Sequence, residues 1–183
     1  MIDTLMSDWE AFYKRIFDIQ VSLSDLYIPQ ECEGFDRLLI VARGITPQKT
    51  FDKCASLFPA SAWTNKDLDN IVKSDRTSLS DTYALWAKDR IEPDDEYKNV
   101  YASHLKERGI PCISLEERLI YELKYYDETG AHLDLKNITL CAGSRYSNGN
   151  VPSVSWLDGK FWVYWYFPDV CCCGPLRARE VVD

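Results

Sequence analysis

The chain has 183 residues, 46% hydrophobic and 27% charged, with a formal net charge of -8 and no apolar run of membrane-spanning length. That balance excludes a disordered chain and a helical membrane protein, and the length suits one folding unit around one sizeable core. The acidity argues against nucleic acid as a partner, because affinity for a phosphate backbone rests on clustered Lys and Arg and no basic stripe is present.

The opening residues MIDTLMSDWEAFYKRIF lack a basic start followed by an apolar stretch, so no signal peptide is expected. Trp9, Phe12, Ile16, Ile19 and Leu23 recur at helical spacing and predict an amphipathic helix over 8–28, stopped by Pro29. The short apolar run FDRLLIVARG, 35–44, reads as a buried strand. Thr46 and Pro47 make an N-cap and first-turn pair for a helix through Phe51, Cys54 and Phe58, closed by Pro59. A second short helix is expected within 64–74, where Asp67 stands at capping-box distance from Thr64. DTYALWAKD, 81–89, alternates with a period of two and predicts a strand, followed by a polar loop around Pro93, Asp94 and Asp95. The clearest helix spans 114–130, with Ser114 as cap, Glu117 three positions on, a stripe of Leu115, Leu119, Ile120, Leu123 and Tyr126, and Gly130 as stop.

Beyond Leu135 the pattern changes. NITLCAG reads as a strand, SRYSNGN as a turn, VPSVSW and KFWVYWYF as two strands joined at Asp158-Gly159, and LRAREVV as a terminal strand. Helices in the first two thirds and a small antiparallel sheet in the last define an α+β class.

Chemistry-bearing motifs are sparse. Cys32, Cys54, Cys112 and Cys141 sit beside apolar segments and read as small buried hydrophobes. Cys171 to Cys173 are adjacent, which points neighbours apart, and neither His104 nor His132 stands at ligand spacing from a cysteine pair; a metal site and a catalytic thiol are both disfavoured. Both histidines read as structural. The carboxylates of EPDDE, 92–96, and LEE, 115–117, read as a solvated surface. The aromatic strand stands apart, since both of its faces are apolar. Phe161, Val163, Trp165 and Phe167 share one face, and Trp162, Tyr164 and Tyr166 the other. Val163 and Trp165 are assigned to the core, leaving Trp162, Tyr164 and Tyr166 as a contact surface of the composition found at binding hot spots.

Residues 141–183 resemble the C-terminal variable region of proteins diversified by diversity-generating retroelements, which carry a C-type lectin fold related to formylglycine-generating enzymes. The resemblance is to the small archaeal and candidate-phylum bacterial members. It rests on Gly143-Ser144-Arg145, Trp156 before the Asp158-Gly159 turn, Trp165, and Leu176-Arg177-Ala178-Arg179 at the end of the chain. It implies one C-type lectin-like domain over 1–183, with a scaffold, 1–143, and a variable region, 144–183. It also implies copying errors at template adenines, which turn Asn codons into codons for Tyr, Phe, Cys, Ser, Val, Leu, Asp or Gly but never Trp or Lys. DVCCCG then lies wholly within the reachable set, whereas Lys160, Trp156, Trp162 and Trp165 fall outside it. The implied ligand-binding residues are Ser153, Ser155, Leu157, Phe161, Trp162, Tyr164, Tyr166, Phe167, Val170, Cys171, Cys172 and Cys173. The implied partner is a protein or cell-surface ligand, with no nucleic acid, membrane insertion, cofactor, metal or catalytic residue, and with display on a virion or cell through another protein. No Glu-Pro-Asn or Trp-Asn-Asp cluster of the calcium-dependent lectins is present. Two alternatives stay open: a thiol or copper enzyme on the related fold, and a scaffold protein whose aromatic face is buried.

Overall fold

Helix α1, Ile2–Phe17, turns Trp9, Phe12 and Tyr13 into the interior, where Trp9 and Phe12 meet edge to face at 5.2 Å. The computed structural model describes residues 2–170 and 174–183. α1 starts and stops earlier than the periodicity predicts, because Asp18 adopts a positive φ of 53° that a continuing right-handed helix does not allow. The apolar residues beyond it still point inward: Leu23 is buried, and its N–H donates to Oε1 of Glu10 at 2.8 Å. The Tyr13 hydroxyl donates to the Ile40 carbonyl at 2.6 Å and accepts from the Ala42 N–H at 3.0 Å, pinning α1 to the end of strand β1, Arg37–Val41.

β1 pairs antiparallel with β4, Tyr83–Ala87, and β4 in turn with β10, Val181–Val182. Every residue of β1 and β4 after the first is buried, so the two-residue alternation of 81–89 does not mark a solvent face. Helix α2, Pro47–Leu57, begins as its sequence predicts, with the Thr46 hydroxyl accepting from the Lys49 N–H at 3.3 Å. The next helix, α3, shrinks to Leu68–Ile71. Asp67, rather than Thr64, caps it, and the chain turns extended at once into β3, Val72–Ser74. A single 3-10 turn, Asp95–Tyr97, and the short helix α4, Ala102–Glu107, lead to the central helix.

That helix, α5, Leu115–Thr129, has the predicted capping box and a Gly130 stop at φ 69°. All ten residues from Leu115 to Lys124 are buried, so the other elements enclose it rather than lying on one stripe. Of the carboxylates read as solvated, Asp95 and Glu96 are exposed, whereas Asp94, Glu116 and Glu117 are buried.

A five-stranded sheet runs in the order β2 (Ala60–Ala62), β8 (Lys160–Tyr166), β7 (Val151–Leu157), β5 (Ile138–Leu140), β9 (Leu176–Ala178). It is mixed rather than antiparallel, since β2 runs parallel to β8 and β9 parallel to β5. Only β7 and β8 are joined by a tight turn that dictates opposite directions; β2 and β9 arrive from remote segments. Asp158 and Gly159 carry φ of 52° and 72°, the paired positive values that a two-residue hairpin turn demands. SRYSNGN is not all turn: β6, Ser144–Tyr146, pairs with β3 in a separate ribbon. The terminal segment divides, sending β9 to the five-stranded sheet and β10 to β4. The molecule is α+β.

Candidate functional site

The β7–β8 register settles which side chains share a face. Directly opposed residues point the same way, so Pro152/Trp165, Val154/Val163 and Trp156/Phe161 form one face, and Val151/Tyr166, Ser153/Tyr164, Ser155/Trp162 and Leu157/Lys160 the other. The first face is core. Val154, Phe161 and Val163 are fully buried, Trp165 is half-buried against the same core, and Trp156 stacks on His132 at 3.4 Å with nearly parallel rings. His132 is further held by a 2.8 Å contact from Nδ1 to the buried Glu122 carboxylate and by the Tyr126 ring at 5.0 Å.

The second face is uneven. Toward β5 and β9 it is covered by a small cluster of Ala102, Leu140, Val151 and Leu176, against which Tyr166 packs half-buried. Toward β2 it opens. Tyr164 is 50% exposed and Leu157 56%, with Phe167 and Val170 exposed just past the strand and Ser155 and Trp162 half-exposed between them. The Lys160 ammonium lies 4.7 Å over the Trp162 ring, which fixes that indole on the surface. The Tyr164 ring lies nearly parallel to the Trp165 ring at 5.9 Å, and Phe167 meets Trp165 edge to face at 5.1 Å, so the exposed rings rest on a held one.

Two expected contact residues are withdrawn. Phe161 is 0% exposed, being on the Val163 side of the strand, where it packs against Phe58 at 5.7 Å. Ser153 is 1% exposed beneath the covered part of the second face, with its Oγ lacking a hydrogen-bond partner among the described residues. Cys171, Cys172 and Cys173 lie outside the described residues. Sequence reasoning missed Trp63, which continues from β2 along the edge of β8, with its N–H donating to the Val163 carbonyl at 2.9 Å. Its ring is 37% exposed and meets Trp165 at 6.3 Å and Tyr146 at 5.4 Å. No local pattern marks it, because it joins the platform only through the parallel β2–β8 pairing.

The buried polar groups form a second constellation. Asp134 receives Arg118 at 2.8 Å, Arg179 at 2.6 Å and the Thr139 hydroxyl at 2.6 Å, while Arg118 also pairs with Glu122 at 2.8 Å. Burial alone would raise the Asp134 carboxyl, but the charges of Arg118 and Arg179 hold it below its ordinary value. Their side chains are at most 2% exposed, so this group fastens α5 to the approaches of β5 and β10 and presents nothing to a ligand. Glu117 is held by Arg76 at 2.7 Å, and neighbouring Glu116 is pushed up to about 7, chiefly by burial and also by the Glu117 charge. Burial raises the thiols of Cys54, Cys112 and Cys141 well above the range in which thiolate forms at neutral pH. Among the described residues no three His, Cys, Asp or Glu side chains converge as a metal site, and no helix is long and apolar enough to cross a membrane. Family models, curated proteins and solved structures yield no match to this chain.

Proposed function

We propose that the chain is a ligand-binding protein whose outward β7–β8 surface is diversified by a retroelement on a C-type lectin-type fold. The observation that carries this reading is the division within one strand. Phe161 and Val163 are wholly buried, while Tyr164 between Val163 and Trp165 is half exposed on a rigid hairpin. A surface built to exchange side chains needs a frame that does not depend on them, and β8 separates the two functions by alternation. Trp156 and Trp165, which the adenine rule cannot produce, sit on the frame side. Leu157, Tyr164, Phe167 and Val170, which it can produce, are the exposed ones. The contact set is therefore Ser155, Leu157, Trp162, Tyr164, the half-buried Tyr166, Phe167 and Val170 with Trp63 at its edge, and the partner is a protein or cell-surface ligand. Large rings with a polar tip suit such contact because they bury area at little entropic cost.

The test is genomic. The reading requires an imperfect second copy of the coding segment for 144–182, beside a reverse transcriptase gene, with mismatches only at adenines of the copy. Finding no such copy overturns it. Mismatches concentrated in the codons of Phe161 and Ser153 would also count against it, since those side chains are enclosed.

A further inference from the structure

The motif Gly143-Ser144-Arg145 leads to a part of the molecule that the aromatic surface does not use. A cavity of about 260 Å³ lies between the β3–β6 ribbon, α4 and the segment 109–112, and is lined by Lys73, Asp75, Arg76, Lys106, Cys112 and Arg145, among others. Gly143 shapes its wall: a Cβ there would stand 2.4 Å from the Cys112 carbonyl oxygen, so no other residue allows the two segments to approach so closely.

The charges around this cavity do not balance internally. Lys73 and Arg145 are directly opposed in the antiparallel β3–β6 register, which places two cations side by side on one face of a two-stranded ribbon. Like charges in that arrangement destabilise the pairing. Arg76, by contrast, is fully engaged, with Glu117 at 2.7 Å and 3.0 Å, the Cys112 carbonyl at 2.7 Å and Asp183 at 3.3 Å. Among the described residues neither Lys73, Lys106 nor Arg145 has a carboxylate at ion-pairing distance, although acids outnumber bases 29 to 21 in the chain. Asp75 is the one carboxylate on the lining; it forms no ion pair with the three cations among the described residues, although its charge acts on Arg145. Arg145 spends a single nitrogen, Nη1, on the carbonyls of Ala142 and Ser144 at 2.7 Å each, leaving Nε and Nη2 without an acceptor among the described residues. Burial lowers it from the ordinary arginine range, outweighing the charges of Asp75 and Asp169, neither of which forms an ion pair with it.

We propose that this cavity binds a small oxyanion, held by the planar fork of Arg145 and the ammonium groups of Lys73 and Lys106. The Arg145 fork matches the spacing of carboxylate and phosphate oxygens alike, and the two lysines supply point charges from β3 and α4. An anion there converts the repulsion between Lys73 and Arg145 into a shared attraction and so stabilises the ribbon. The inference stands apart from the aromatic surface and does not depend on it.

The experiment is calorimetric titration and thermal unfolding of the whole chain in sodium phosphate, with sodium acetate as the carboxylate arm and sodium chloride at matched ionic strength as reference. Saturable binding and a raised Tm are expected with phosphate, with acetate, or with both, and the stronger of the two identifies the class of oxyanion. Lys73→Gln and Lys106→Gln, both at exposed positions, each weaken that binding roughly tenfold or more, the scale of one lost charge-assisted contact. Lys73→Glu supplies an internal partner to Arg145, so it raises the Tm of the ligand-free protein and abolishes the response to added anion. No shift beyond chloride with either anion overturns the proposal, as does a shift that persists unchanged in the Lys73→Gln/Lys106→Gln double variant.

Discussion

Glu116 shows how far a residue's chemistry can depart from its sequence context. Beside Glu117 in a stretch of charged residues it reads as solvated, yet it is 2% exposed, and its carboxyl is raised from 4.5 to about 7. Between those two values the folded protein keeps a proton that the unfolded chain has released. Its contribution to stability is therefore complete below about pH 4.5 and lost as pH rises through about 7. Denaturant unfolding of Glu116→Gln measured from pH 5 to 8 should lack this decline, with a gap over the native chain at the alkaline end on the order of 1–3 kcal/mol. A parallel fall in both proteins would show that Glu116 stays ionised. On β8, the contact and frame positions separate in the same way. Phe161→Ala should cost about 3–5 kcal/mol of folding stability, whereas Tyr164→Ala, which removes a half-exposed ring, should cost less than about 1 kcal/mol. Equal losses in a urea titration would refute the assignment of faces.

At the scale of elements, the sequence is most informative where partners are near in the chain. The α5 capping box, its Gly130 stop, the Thr46-Pro47 start of α2 and the Asp158-Gly159 hairpin turn all use residues a few positions apart, and all form as predicted. The prediction fails where remote chain intervenes. Glu117 is satisfied by Arg76, 41 residues away, and Arg179 reaches Asp134 across 45, so nothing around either acid announces burial. The Asp134 cluster predicts its own pH response. Its lowered carboxyl contributes stability that is present above the ordinary Asp range and is lost as pH falls through the folded value. Asp134→Asn removes the anion between Arg118 and Arg179 and should cost about 3–5 kcal/mol at neutral pH, read from the shift of the denaturation midpoint. A change under about 1 kcal/mol would mean that the two arginines are compensated without it.

Over the whole molecule, the two ends of the chain are built into each other. β10 completes the sheet begun by β1 and β4, Val181 is fully buried, and one core contains Trp9 and Phe12 of α1 together with Phe161 and Val163 of β8. Unfolding followed by far-ultraviolet circular dichroism and by tryptophan fluorescence should therefore trace one coincident transition, and removing Val181–Asp183 should lower its midpoint by both probes. Separated transitions, with the aromatic hairpin melting alone, would contradict this coupling. The sequence by itself determined the α+β class, the caps and turns of α2, α5 and the β7–β8 hairpin, and the unusual weight of aromatic residues in that hairpin. These are short-range properties, fixed by backbone preferences and by the period of apolar residues along a few turns or one strand. Only the tertiary structure decided that Phe161 and Ser153 are enclosed, that Trp63 joins the exposed rings, and that Lys73 and Arg145 stand side by side on the wall of a cavity. Burial and charge balance are set by segments tens of residues apart, and a one-dimensional pattern does not record which of them will meet.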